Sequence, residues 1–344
     1  MRVNKNSSFA YLQALHDVLF KPQYTPSPRG QKTREILDYT FKITKPTVDF
    51  ITTADLNRNN VIESYSTKEF ELYDSCTNKV EDFAKASKFW NHLKNPDGTV
   101  NSAYGYLIWK NKSAGNEYEL QNVVKNTYRD EDLGIIDGGE AYCQRLESQQ
   151  NYKRTPWEWA KQSLLADKDT RQAILRFSLP EHQWMGNKDQ TCTLHGNFQI
   201  RENELHLSVT MRSNDLMKGL VYDLPWFISL MYKMRDELKD QYPGLKIGHY
   251  THTSHSMHIY DRDIPAVLQM LGYYKKDETD ASIKSGNIAI SNSKYEDLMS
   301  GTIPGIFITD RLGTHVITNR TARVVPIKGA VSYVVLDYSS CARL

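Results

Sequence analysis

The chain has 344 residues, of which 40% are hydrophobic and 24% charged, a globular composition sufficient for one large domain or two ordinary ones. Lys and Arg number 43 against 41 Asp and Glu, a net charge of only +2, which excludes the basic excess of a general nucleic-acid coat but leaves room for a local anion site. Mean hydropathy is −0.59, and no window approaches the roughly 18 uninterrupted apolar residues of a spanning helix. The N-terminus, MRVNKNSSFAYLQAL, lacks the apolar stretch of a signal peptide, so the expected location is cytoplasmic.

Residues 11–20 predict a short amphipathic helix, followed by a Pro/Gly/Ser loop over 22–30 with Arg29 at its tip. Phe70, Tyr73, Val80, Phe83 and Phe89 predict one helix over 68–90. Another helix follows Thr155-Pro156 and runs to Leu165. Residues 173–177 read as a buried strand and 194–200 as a second, with a hairpin turn over 201–204. Leu205, Leu207, Val209 and Met211 then alternate with His206, Ser208, Thr210 and Arg212, the period of a strand with one buried face. Residues 224–238 fit an amphipathic helix and 246–260 a strand with interrupted alternation. Further strand signals lie at 287–290, 305–309, 316–318 and 331–336. Strands and helices mix without the regular alternation of a doubly wound sheet, so the predicted class is α+β.

Four cysteines, Cys76, Cys143, Cys192 and Cys341, form no C-x-x-C pair, which leaves zinc-ribbon and thioredoxin chemistry unsupported and predicts four thiols. Cys192 sits in Asp-Gln-Thr-Cys-Thr at the mouth of a strand. A thiol needs a nearby cation to ionise at neutral pH, and the hairpin places Arg212 roughly opposite. Taken alone, the pair reads more simply as an ordinary buried thiol and a solvated strand charge.

The longer pattern decides between these. Arg212-Ser213-Asn214-Asp215 and Lys218-Gly219-Leu220-Val221-Tyr222-Asp223 follow Cys192 at the spacing of the thymidylate synthase superfamily, which carries a nucleophilic cysteine, then Arg-Ser-x-Asp, then Leu-Gly-x-Pro-Phe-Asn. His258 and Tyr260 match the later Gly-Asp-x-His-x-Tyr, and Arg29-Gly30, Asp169-Thr170-Arg171 and Tyr104-Gly105 resemble upstream family segments. The resemblance spans residues 10–275. It implies a thymidylate synthase-like catalytic domain over 1–275, with a large mixed twisted sheet flanked by helices and one sheet face forming a homodimer interface. Residues 276–344 form an extension packed on or continuing that domain.

The resemblance also implies roles. Cys192 attacks pyrimidine C6, which makes C5 nucleophilic toward 5,10-methylenetetrahydrofolate as co-substrate. Glu69, or Glu71 in the alternative alignment, shuttles protons, and Tyr104 assists removal of the C5 proton. Arg212 binds phosphate and keeps Cys192 ionised, with Arg29, Ser213 and, across the dimer, Arg171 completing the phosphate site. His258 and Tyr260 hold the sugar; Asp215, Trp90 and Gly219 belong to the folate side.

One departure carries the substrate. Family synthases read uracil with an asparagine where this chain has Asp223. A carboxyl group accepts from the cytosine amino group and, when protonated, donates to ring N3. The pattern therefore resembles the phage cytidylate hydroxymethylases, in which water captures the methylene intermediate to give 5-hydroxymethyl-dCMP for DNA modification. A dCMP methyltransferase, a CMP- or dUMP-using member and a non-enzymatic nucleotide- or RNA-binding relic remain open, and so does Asp223 as a simple helix N-cap. Thr193 after the cysteine, Gln172, Lys218, Val221 and His255-Ser256 also depart from the family pattern. His249, His252, His255 and His258 are spaced by three, which does not keep them on one face of a strand, so no metal site is expected.

Overall fold

A computed structural model of the chain describes residues 1–111 and 155–272, together with the backbone of 305–310 and 313–318. Strand β1 (Arg2–Asn4) leads into helix α1 (Ser7–Phe20). Asn6 caps this helix, its side-chain oxygen accepting from Phe9 N at 2.9 Å. Strand β2 (Thr33–Ile43) and helices α2 (Leu56–Asp74), α3 (Val80–Ala86) and α4 (Tyr104–Trp109) follow. Helix α5 (Pro156–Ala166) starts at a reciprocal capping box: Thr155 N donates to the Glu158 carboxylate at 2.9 Å, and Glu158 N to Thr155 Oγ1 at 3.2 Å.

After β3 (Ile174–Arg176) come β4 (Thr193–Arg201) and β5 (Glu204–Met211). They are joined by Glu202 and Asn203, at φ +49° and +62°. Two left-handed residues make the hairpin turn whose twist suits the flanking strands. Strand β5 buries Leu205, Leu207, Val209 and Met211, as its alternation predicts. The chain continues through β6 (Asn214–Asp215), a π turn over Leu216–Leu220, α6 (Val221–Leu238), β7 (Lys246–Tyr260) and α7 (Ile264–Met270), then the antiparallel pair β8 (Gly305–Asp310) and β9 (Gly313–Thr318).

The chain divides into two compact units, Met1–Phe70 with Thr210–Leu230 and His249–Leu344, and Glu71–Val209 with Met231–Gly248. In the first, β2 lies between β1, which it pairs in parallel, and β7, which it pairs antiparallel, while β6 pairs in parallel with β7. Its core buries Tyr11, Leu15, Phe41, Ile43, Leu224, Trp226 and Tyr250. In the second, β3 pairs antiparallel with β4, and Phe83, Leu164, Phe177, Phe198, Leu207 and Met234 are buried. Mixed strand directions with helices give the expected α+β class.

Two sequence expectations need correction. The helix over 68–90 breaks: α2 ends at Asp74, Cys76 takes φ +54°, and a 3-10 turn over Lys88–His92 follows α3. The break comes from tertiary pairing, because Val80 N donates to Gly98 O at 2.9 Å and Lys79 bridges Thr99. Residues 173–177 are not uniformly buried. Ala173, Leu175 and Phe177 point inward while Ile174 is 40% exposed, which is strand alternation. Expected strands at 305–309 and 316–318 are present; those at 287–290 and 331–336, with Cys143 and Cys341, lie outside the described residues.

Candidate active site

The residues singled out by the sequence fall in both units. In the second unit, Cys192 immediately precedes β4; it is a half-buried thiol, not a half-cystine. The next residue, Thr193, donates through Oγ1 to Tyr104 Oη at 2.8 Å, and both side chains are buried. Tyr104 opens α4, stacked on Tyr73 with ring centroids 5.5 Å apart and set edge-on to Phe177 at 5.2 Å. Gly105 is obligatory there, because a Cβ would collide with the Tyr73 backbone carbonyl.

Asp189, which the sequence reading passed over, ties the two segments together. Its carboxylate accepts from Ser102 N at 2.8 Å and Ser102 Oγ at 2.5 Å. The loop before the thiol is thereby fixed to the residues before Tyr104. Burial pushes the Asp189 carboxyl up from its ordinary range, against the pull of the Ser102 and Asn101 hydrogen bonds. Only its place three residues before Cys192 hinted at this. Trp90 is buried against Phe83, with centroids 4.7 Å apart, and Arg171 is exposed.

In the first unit, α2 presents Glu69, which is 6% exposed, whereas the alternative Glu71 is exposed. Glu69 Oε1 accepts from Tyr65 Oη at 3.0 Å, and the Tyr65 ring packs on Tyr222 at 4.6 Å. Arg58, a residue not anticipated, stands 5.7 Å over the Tyr222 ring and donates to Met217 O at 2.7 Å. Arg29 sits at φ +51° on the exposed turn Pro28–Gly30; Arg212 is exposed and Ser213 half-buried at the end of β5.

Strand pairing sets Asp215 opposite His258 in register. The Asp215 carboxylate caps the π turn, accepting from Met217 N at 2.8 Å and Lys218 N at 3.3 Å. Burial raises its pKa, the His258 charge lowers it and Asp263 raises it further. His258 packs edge-on to Tyr260, centroids 5.4 Å apart.

Asp223 is not the helix N-cap. It is the third residue of α6, and Asp215 performs the capping. Its surface is partly accessible, yet protein crowds it closely enough that burial pushes its pKa from 3.8 to about 7; an Asn214 hydrogen bond pulls down and the Asp215 charge pushes up. Gly219 packs here: a Cβ would collide with Asn214 Oδ1 and lie 3.3 Å from Asp223 Oδ2. Among the described residues no cluster of His, Cys, Asp and Glu could hold a metal. His252 is fully buried, and His255 Nδ1 lies 2.6 Å from Asp38 Oδ1. No described helix is long and apolar enough to cross a membrane.

The chain is similar to several known proteins. The deoxycytidylate 5-hydroxymethyltransferase of Enterobacteria phage T4 is 26% identical over 262 residues, covering 74% of this chain and 85% of its own. The protein of the same name from phage T2 is 25% identical over 240 residues, 68% of this chain and 78% of its own. The deoxyuridylate hydroxymethyltransferase of Bacillus phage SP01 is 34% identical over 173 residues, 48% of this chain and 42% of its own. Thermostable thymidylate synthase A from Bacillus subtilis shares the fold, with a TM-score of 0.50 and 17% identity over 76% of this chain and 83% of that one. The Thymidylate synthase family profile matches residues 9–300, so the chain belongs to the thymidylate synthase family.

Proposed function

We propose that the protein is a folate-dependent deoxycytidylate 5-hydroxymethyltransferase. The observation that carries this reading is Asp223, an acid held near pKa 7 where family synthases place an asparagine. As an acid it offers one donor and one acceptor, the complement of cytosine N3 and the 4-amino group. The phage relatives named for deoxycytidylate support the same base.

In this reading the Cys192 thiolate, stabilised by Arg212, adds to C6 of the pyrimidine. Negative charge then develops at C5. The co-substrate methylenetetrahydrofolate supplies the one-carbon unit. Its pterin N–H donors suit the Asp215 carboxylate, which the capped π turn holds rigid; Trp90 and Gly219 are the other residues assigned to the folate. Tyr104, oriented by Thr193, assists removal of the C5 proton to water as tetrahydrofolate departs from the one-carbon unit, and buried Glu69 orders the water that adds to the resulting exocyclic methylene and takes up its proton. Loss of the thiolate releases 5-hydroxymethyl-dCMP. Arg29, Arg212 and Ser213 bind the 5′-phosphate, and the exposed Arg171 completes the phosphate site of a second copy in a homodimer. His258 and Tyr260 hold the sugar.

Product mass spectrometry with methylenetetrahydrofolate and, separately, dCMP, CMP and dUMP tests the reading. A dCMP product heavier by one hydroxymethyl group is expected. A methylated cytosine nucleotide would overturn the water-capture step, and turnover of dUMP alone would overturn the base.

A further inference from the structure

A buried carboxylate that handles a proton must be hydrogen-bonded to be tolerated and held in one orientation to be useful. Helix α2 brings the means to Glu69 from its own sequence. Arg58, Ile62, Tyr65 and Glu69 stand at i, i+4, i+7 and i+11, one stripe along the helix. On that stripe Ile62 is fully buried and Glu69 nearly so, whereas Glu71 lies off it and is exposed.

Tyr65 and Glu69 are one helical turn apart, the spacing at which side chains meet. Tyr65 Oη donates to Glu69 Oε1 at 3.0 Å, a charge-assisted hydrogen bond when the carboxyl group is ionised. The Tyr65 ring is itself held. It packs, tilted by 55°, against the buried ring of Tyr222 in the first turn of α6, with centroids 4.6 Å apart. Arg58 stands over the other partner of that pair, 5.7 Å from the Tyr222 centroid and within cation–π range, and its Nη2 donates to Met217 O at 2.7 Å. Met217 belongs to the π turn, and its N–H donates to the Asp215 carboxylate at 2.8 Å. The adjoining Leu216 O accepts from the buried Tyr11 Oη, also at 2.8 Å. Side-chain contacts therefore run without a gap from Glu69 through Tyr65, Tyr222 and Arg58 to the turn that carries Asp215.

We propose that Tyr65 is a positioning residue for Glu69: its phenol pins one oxygen of the carboxylate, and Tyr222 and Arg58 fix that phenol relative to the π turn bearing Asp215. This rests on Glu69 as the residue that orders the capturing water and takes up its proton. Tyr65→Phe keeps the ring and its packing on Tyr222 and removes only the hydroxyl that fixes the carboxylate. The water then loses a fixed acceptor, while the groups assigned to nucleotide and folate are untouched.

The test is a double-mutant cycle of the near-isosteric Tyr65→Phe, Glu69→Gln and the two together, with Glu71→Gln as the exposed control and folding of each checked by its urea midpoint. Steady-state kcat and KM for dCMP are read at saturating methylenetetrahydrofolate. Tyr65→Phe should lower kcat by about tenfold or more, the loss of one hydrogen bond to a charged group, and change KM by less than about threefold. Added to Glu69→Gln, it should lower kcat by less than about twofold further, because the group it positions is already gone. A tyrosine with only a structural role would instead lower kcat by the same factor in both backgrounds. That equal fall, or a wild-type kcat in Tyr65→Phe, overturns the inference. Full activity in Glu69→Gln, or a wild type that forms no modified nucleotide, overturns the functional reading and the inference with it. A methylated product overturns the water step alone, and the cycle then still decides whether Tyr65 acts through Glu69.

Discussion

Replacing Asp223 by Asn tests the base reading and the energetics of the site together. The substituted amide keeps the shape but cannot titrate. In the folded protein the Asp223 carboxyl has a pKa of about 7 against 3.8 for the ordinary group. Between those values the folded state holds a proton that the unfolded chain has released, so wild-type stability falls as pH rises from about 4 to about 7 and is level above that. Three pH units at about 1.4 kcal/mol each give an upper bound of about 4 kcal/mol, and partial solvent access reduces this to roughly 2 kcal/mol. Asp223→Asn should therefore match wild type near pH 4.5 and exceed it by roughly 2 kcal/mol at pH 8 in urea unfolding. The same substitution should turn base preference toward uracil. A mismatched buried polar group costs about 1–3 kcal/mol on each side, so the dCMP to dUMP ratio of kcat/KM should swing by on the order of 10³. A stability difference that stays constant from pH 5 to pH 8, or a variant that still prefers dCMP, would refute the argument.

Cys192→Ala should abolish turnover while nucleotide binding, measured by calorimetry, changes by less than about tenfold, since the thiolate forms a bond rather than a binding contact. Glu69→Gln should lower kcat by about 10²–10⁴, and Glu71→Gln, on an exposed position, by less than about threefold in the same steady-state assay. Gly105→Ala must displace the Tyr73 carbonyl or α4 and should lower the unfolding free energy by about 1–3 kcal/mol, read from the urea midpoint. Asp189→Ala leaves the Ser102 N–H and hydroxyl without their acceptor and should lower kcat more than it raises KM, because it loosens the segments carrying Cys192 and Tyr104.

Local periodicity was legible in the sequence wherever one face of an element is buried. Strand β5 alternates without error, and its turn falls on the polar residues between the two apolar runs. The Thr155-Pro156 start of α5 was equally plain, since a capping box is a local device. The helix break at Cys76 was not, because Phe70, Tyr73, Val80 and Phe83 keep helical spacing across it. The backbone partners that divert the chain, Gly98 and Thr99, are distant in sequence. Ordered short motifs named Cys192, Asp215 and Asp223, but the groups that hold them were hidden. Asp189 reaches Ser102, and Asn214 reaches His252, across long sequence separations that no spacing rule encodes. His252 drew notice only as one of four histidines whose spacing by three spoke against a metal site, whereas its burial keeps it neutral.

The most direct test of the account is covalent trapping. A fluorine at C5 cannot leave as a cation, so a 5-fluoro nucleotide that undergoes thiolate attack and one-carbon transfer must stall on the protein. Wild-type protein is incubated with methylenetetrahydrofolate and either 5-fluoro-dCMP or 5-fluoro-dUMP, then digested and mapped by mass spectrometry. The account predicts an adduct from the cytosine analogue on the peptide containing Cys192, and little from the uracil analogue. An adduct on another residue, no adduct at all, or trapping by the uracil analogue alone would contradict it.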